Sequence, residues 1–239
     1  MSVRCAAGWA TLVTLACAAR VLAAPTGLTT IPTVDVAPMR QLTFQFQNAN
    51  TNLSDAPTLW HEPQMALQFQ TGVRAARIEA GADLVVTDPP EGYAPIFNAK
   101  AVLLAEGEHW PAVAAGVAQV GSGVESYAYA VVTRTLDYHA LQYQRFRAHH
   151  RNVKLRGRRA HAGLLRTPER VLALAGSDLE LSDHFLLVAD WIAGDDHAAS
   201  LGLTWVVDPL TTLQMALLRG NGSGRVDGLQ AGITRQFGF

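Results

Sequence analysis

The feature that most constrains this chain is a period of two. From residue 40 to the end, segments of roughly ten residues alternate apolar with polar or small side chains, and helical periodicity is hard to find. In "RQLTFQFQN", Leu42, Phe44 and Phe46 oppose Gln41, Thr43, Gln45 and Gln47. "EPQMALQFQTG" sets Met65, Leu67 and Phe69 against Gln64, Gln68 and Gln70, and "ARIEAGADLVV" sets Ile78, Ala80, Ala82 and Leu84 against Glu79, Gly81 and Asp83. "LQAGITRQFGF" ends the chain with Leu229, Ala231, Ile233 and Phe237 against Gln230, Gly232, Thr234 and Gln236. Successive strand side chains point to opposite faces, so each segment reads as a strand with one apolar face.

Twelve such segments are predicted, near 40–48, 62–72, 75–86, 95–105, 110–120, 126–136, 155–166, 170–181, 184–193, 198–208, 212–220 and 227–239. The connections alternate between tight ones ("GVRAA", "EGEH", "SD", "DPLT") and longer or Gly/Pro/Asn-rich ones ("ANTNLSDAPTLWH", "TDPPEGYA", "NGSGRV"). An even number of antiparallel strands with short turns at one rim and longer loops at the other is the plan of a transmembrane barrel. A soluble sandwich or lipocalin-like barrel also alternates, but its outer face faces water. Here the polar faces carry mainly Gln, Thr, Gly and Ser, and 16% of the chain is charged, against about 25% in a typical soluble domain. Lipid satisfies no backbone groups, so a sheet within it must close. The expected fold class is therefore all-β, an antiparallel transmembrane barrel of about 12 strands over residues 40–239.

The two ends fit that expectation. "CAAGWATLVTLACAA" after Arg4, followed by Val21 and Ala23, reads as a cleaved secretory signal peptide over residues 1–23, with 24–39 an extended N-terminal segment. Cleavage there leaves 216 residues and 17 basic groups (19 less Arg4 and Arg20) against 20 acidic ones, a balance too even to nominate nucleic acid as a partner. Both cysteines, Cys5 and Cys17, lie in the removed segment, so no disulfide or cysteine metal site is expected. No later apolar stretch reaches the length of a spanning helix. The terminal aromatics Phe237 and Phe239 lie on the lipid-facing side of the last strand. Trp60, Tyr93, Tyr127, Trp191 and Trp205 fall near segment ends, where interfacial girdle residues sit.

The candidate site is the interior. Glu79, Asp83, Lys100, Asp178, Glu180 and Asp190 fall on polar faces and are expected to line the lumen, either as a cation-attracting pore lining or as a hydrogen-bond and salt-bridge network that fills it. Residues 142–161, "QYQRFRAHHRNVKLRGRRAH", hold Arg145, Arg147, Arg151, Lys154, Arg156, Arg158 and Arg159, seven of the mature chain's 17 basic side chains. The run is too long for a turn, and it is expected to fold into the lumen as a plug against Glu79, Asp83, Asp178 and Asp190. Among the eight histidines, His149 and His150 are adjacent and so point apart, while His61, His109, His184 and His197 fall in turns or loops. His161 with Ser177 or Ser182 is a conceivable hydrolytic pair, but no G-x-S-x-G elbow is present.

The opening "TGLTTIPTVDVAPMRQLTFQF" resembles the start, GL followed after three residues by PT, of bacterial outer-membrane barrels such as the YjbH-like proteins linked to exopolysaccharide, and "ELSDHFLLVADW" looks like their periplasmic hairpins. The motif positions are Gly27, Leu28, Pro32, Thr33 and Phe239. The resemblance implies a periplasmic C-terminus whose Phe237 and Phe239 are read by the barrel-assembly machinery. The expected protein is a monomer in outer-membrane lipid that passes or exports small polar solutes or polysaccharide, without enzymatic activity, cofactor or metal. Alternatives are a barrel-borne envelope lipid hydrolase and a soluble periplasmic β-protein that binds an apolar ligand.

Overall fold

The computed structural model describes residues 28–37, 41–50, 64–73, 77–86, 93–121, 126–136, 157–195, 197–222 and 227–238. Twelve strands form one closed antiparallel barrel: β1 (Gln41–Asn50), β2 (Gln64–Val73), β3 (Ile78–Val86), β4 (Tyr93–Leu104), β5 (Ala112–Gly121), β6 (Tyr127–Thr135), β7 (Arg158–Arg166), β8 (Val171–Glu180), β9 (Phe185–Ile192), β10 (Ala198–Asp208), β11 (Thr211–Gly220) and β12 (Asp227–Gly238). Each strand pairs with its sequence neighbours, and β12 closes on β1 through a register that sets Gln41 beside Gly238 and Phe46 beside Ile233. Closure leaves no unpaired sheet edge, the condition a sheet must meet in lipid.

Period two decides which face looks out. Leu201, Leu203, Met215, Leu217, Leu164 and Ile233 are all exposed, whereas Gln68, Glu79, Asp83 and Gln230, on alternating positions, are buried. Phe44 on β1 and Phe69 on β2 meet edge to face at 5.4 Å on this outer surface. On β7 the outward charged side chains are Arg158 and Arg166, with Ala160, Ala162 and Leu164 between them. That stretch rises about 26 Å along the strand, and a tilt of about 40° shortens it to about 20 Å, close to the apolar band of a membrane barrel. Arg219 and Arg235 likewise sit near the ends of β11 and β12.

Both chain-end strands open on one rim, called here the terminal rim, with the connections at 74–77, 105–111, 136–157, 181–184 and 209–210. The four connections expected to be tight fall on this rim, but so does the longest connection of all, and the opposite rim has a tight one of its own at 167–170. Length alone therefore does not distinguish the rims. Trp191 lies near the opposite rim, whereas Trp205 stacks on Phe185 (6.3 Å) near the terminal rim. All three rings are exposed. Tyr127 is a correction: its ring points inward, 9% exposed, and packs beside Tyr129. The side chain of Tyr93, and residues 1–23, Trp60, Phe239 and the basic positions Arg145, Arg147, Arg151, Lys154 and Arg156, lie outside the described residues.

Candidate functional site: the occupied lumen

The inner wall has two characters. Over β1–β4 it is polar, with Thr43, Gln68, Gln70, Glu79, Asp83, Asn98 and Lys100 buried. Lys100 Nζ lies 3.7 Å from Glu79 Oε1 with both side chains fully enclosed, and the Asn98 amide donates to Asp83. A bulge where β4 meets β5 turns Ala118 and Gln119 inward together. Gln119 has a positive φ of 57°, and its N–H donates to Asn98 Oδ1 (3.0 Å). Over β5–β9 the wall is largely apolar, built by Ala114, Ala118, Tyr127, Tyr129, Val131, Leu165, Leu172, Leu174, Val188 and Ile192. On these strands both faces carry apolar residues, and water is kept from the inner one.

What covers the apolar wall is the N-terminal segment, residues 28–37, threaded through the lumen. Leu28 and Ile31 belong to the same buried cluster as the wall, and Val34 packs against it. Gly176 on β8 makes their approach possible, because a Cβ there would meet the δ-carbons of Leu28 and Ile31 at 2.7 Å. Burying two such side chains is worth about 1.5–3 kcal/mol each. Polar bonds fix the register. Asp190 Oδ2 accepts the N–H of Thr29 and of Thr30, both at 2.8 Å, and Oδ1 accepts the Thr30 hydroxyl at 2.7 Å. Ser200 donates to the same carboxylate, and Gln230 Nε2 reaches the Thr29 carbonyl at 3.3 Å.

Towards the terminal rim the strap is gripped from both sides. Arg159 Nη1 donates to both Asp35 oxygens at 2.9 Å, and the Ala37 N–H donates to Glu79 Oε2 at 2.7 Å. The strap thus runs from Asp190 and Gln230, near the opposite rim, to Arg159 and Glu79 at the terminal rim, where β1 begins. Burial pushes the Asp35 carboxyl up, but the Arg159 charge and hydrogen bonds, with the Thr33 hydroxyl, outweigh it and hold the group below its ordinary 3.8.

The predicted site residues fall into place as follows. Glu79, Asp83, Lys100, Asp178 and Asp190 are buried on the inner wall, and Glu180 is exposed at the terminal mouth, where it accepts the Gly157 N–H (3.0 Å). Of the basic run, Arg158 and Arg159 are residues of β7, within the strand expected near 155–166, and of these two Arg159 points inward, bonding Asp178 through Nε at 2.9 Å. The other carboxylates expected to receive that run have partners elsewhere: Glu79 on Lys100 and the strap, Asp190 on the strap and Ser200, Asp83 on Asn98. His161 does not meet Ser177, which is exposed on the outer face of β8, or Ser182. Its Nδ1 lies 2.8 Å from the Thr133 hydroxyl and its Nε2 3.1 Å from Asp178 Oδ2. That hydroxyl–imidazole–carboxylate order is the arrangement of a nucleophilic site, but Thr133 is 1% exposed and Asp178 is committed to Arg159. Beneath this cluster, at the terminal mouth, a cavity of about 600 Å³ is bordered by Thr135, Arg159, Asp178, Glu180, Leu186 and Val206.

A closed twelve-stranded barrel with an apolar belt and an internal strap is a porin-like architecture. Among solved structures the chain is similar to the KdgM porin, at 7% identity and a TM-score of 0.53 over 82% of this chain and 99% of that one. It is also similar to the COG4313 outer membrane channel from Pseudomonas putida F1, at 11% identity and 0.50 over 85% and 98%. A second KdgM structure, described as in complex with disordered oligogalacturonate, matches at 8% and 0.54 over 82% and 99%. These likenesses establish the fold. No protein-family model and no curated protein matches the chain in sequence.

Proposed function

We propose that the chain is an outer-membrane channel for small polar solutes or polysaccharide whose lumen is held shut at rest by residues 28–37. The observation that carries this is the strap itself: a closed barrel with a lipid-compatible exterior encloses a segment gripped by Asp190, Gln230, Arg159 and Glu79. An interior that merely needed filling could use wall side chains, as narrow barrels do, whereas a strap anchored by polar bonds is removable as a unit. The pore and channel neighbours support the reading through the shared fold. With the terminal rim periplasmic, the strap enters from that side, Phe237 and Phe239 are offered to the assembly machinery, and the protein sits as a monomer in outer-membrane lipid. The finer kinship with YjbH-like barrels rests on Gly27, Leu28, Pro32, Thr33 and Phe239.

Planar-bilayer recording tests this. The native chain is expected to conduct rarely, and the Leu28→Ser, Ile31→Ser double variant to open for long periods. Equal, negligible conductance of both would mark a permanently closed barrel. A second, hydrolytic reading has one observation behind it, the Thr133–His161–Asp178 chain, and predicts ester hydrolysis that Thr133→Val abolishes.

A further inference from the structure

The bonds that hold the strap also describe what could replace it. We infer that the inner-wall patch formed by Asp190, Ser200, Gln230 and the bare backbone at Gly176 is a binding subsite for a neutral, hydroxyl-rich solute of the oligosaccharide kind, with the strap acting as its internal competitor. The inference rests on the channel reading and adds the chemistry of what the channel holds.

Asp190 is 5% exposed, yet it collects two N–H groups and one hydroxyl from the strap and a further hydroxyl from Ser200. A buried carboxylate needs such donors. Whatever displaces the strap must therefore bring several donors converging on one point. It must also bring an acceptor, because Gln230 donates to the Thr29 carbonyl in the same patch. Neighbouring hydroxyls meet both demands, since each O–H donates and accepts. Ammonium and guanidinium groups bring donors and no acceptor, while an anionic solute meets the Asp190 charge in a dry, low-dielectric setting where repulsion is strong.

The surroundings complete the description. At Gly176 the strap lays Leu28 and Ile31 directly on a strand without a side chain, beside Leu174 and Val188. A solute with a flat C–H face and hydroxyl edges, as a sugar ring has, can occupy that space and bond to Asp190 together. The strap, meanwhile, is an imperfect occupant: the Thr29 hydroxyl is buried with no hydrogen-bond partner, a cost that a better-matched ligand avoids.

The test is calorimetric titration of the full-length protein in detergent micelles with maltotriose, trigalacturonate and spermidine. Heat-modifiable migration confirms that each variant is a closed barrel. The Leu28→Ser, Ile31→Ser variant is expected to bind maltotriose at least about tenfold more tightly than the native chain, because the competitor is weakened, and Asp190→Asn on that background to lose about tenfold, the worth of one or two hydrogen bonds. Should the double variant fail to close, Thr30→Val, which removes one strap bond to Asp190, is expected to shift affinity the same way by a smaller factor. Maltotriose affinity that is unchanged across these variants, or preference for trigalacturonate or spermidine, overturns the inference. Bilayer conductance separates this from the channel reading. An opened variant that conducts without binding maltotriose refutes the subsite alone, and one that binds without conducting refutes the channel alone.

Discussion

The polar inner wall of β1–β4 and the apolar inner wall of β5–β9 sit in the same barrel and depend on the strap in different ways. On the polar side part of the wall answers itself, since Glu79 faces Lys100, Asp83 takes the Asn98 amide and Asn98 takes the Gln119 N–H, while the Thr43 hydroxyl and the Gln68 amide are buried without hydrogen-bond partners. The strap touches that side at its exit, through Ala37 and Glu79. On the apolar side no set of wall residues can satisfy water, and Leu28 and Ile31 are needed to seal it. The charged groups of one wall find their main partners within the sheet, and the other wall is covered by a segment from outside it. The contrast implies that damage to the polar wall unfolds the barrel, whereas damage to the apolar wall releases the strap.

The largest expected effect tests the first half of that statement. Lys100→Met leaves the enclosed Glu79 without its cation, and breaking such a pair by removing one partner costs about 3–5 kcal/mol. Urea unfolding in detergent should show the loss, and Glu79→Gln combined with Lys100→Met should recover most of it. If the single variant is as stable as the native chain, the polar wall is not held by its own pairs.

Next in size is a test of the outside, where the two halves should not differ. Leu67 on β2 backs the polar wall and Val132 on β6 backs the apolar one, and both point outward. Arginine at either position costs roughly 2–4 kcal/mol if it lies at mid-membrane, so Leu67→Arg and Val132→Arg should lower outer-membrane yield alike. Gln68→Arg should lower it less than Leu67→Arg if the interior is wet when open. Unequal effects of the two outward changes would mean that the belt is not continuous around the barrel.

A smaller effect separates the walls directly. Gly176→Ala places a methyl where the strap's δ-carbons lie, so the strap and not the sheet must move, at about 1–3 kcal/mol. Limited proteolysis should then cut within residues 28–37 while the unfolding midpoint of the barrel holds. Gly81→Ala on β3 meets Gln70 and the Phe69 carbonyl at 3.0 Å, with no strap contact near, and should leave strap protection as it was.

The same contrast explains what could be read from the sequence. β1, β2, β3 and β12 alternate cleanly because one face is apolar and the other polar, so strand existence and facing follow from period two alone. In "AVAAGVAQVG", "YAYAVVTRT" and "VLALAGSDLE" both faces are mostly apolar or small, with Gln119, Thr133 and Asp178 as polar exceptions on the inner one, so alternation shows strands without showing that their inner face needs a cover. The strap carries no periodicity, and its main partner, Asp190, lies 160 residues away. The signal that was available was the short "GLTTIPT" stretch itself, apolar residues separated by hydroxyl-bearing ones next to a proline, in a segment assigned only as extended. Of the basic run, Arg159 meets Asp178, Glu79, Asp83 and Asp190 also have partners in the sheet and the strap, and Arg145, Arg147, Arg151, Lys154 and Arg156 lie outside the described residues. The bulge that turns both Ala118 and Gln119 inward depends on Asn98 of the adjoining strand, which local pattern does not encode.

The smallest effect concerns the strap's exit. Asp35 pairs with Arg159, which also bonds Asp178, and Lys100 adds a weaker favourable field. The docked strap holds the Asp35 carboxyl below its ordinary 3.8. A group with a lowered docked value favours docking fully above its undocked value, and this contribution fades as pH falls through the lowered one. The pair is half exposed, with side-chain exposures of 30% for Arg159 and 48% for Asp35, and screening keeps its worth near that of a surface bridge, about 0–1 kcal/mol. A spin label on the strap should therefore show slightly greater mobility at pH 3 than at pH 6. Asp35→Asn should give the more mobile spectrum at pH 6 already and flatten that part of the pH response. If Asp35→Asn leaves both the mobility and its pH dependence unchanged, the Asp35–Arg159 pair does not anchor the exit, and the strap is held by the apolar wall, Asp190, Gln230 and the Glu79 bond to Ala37.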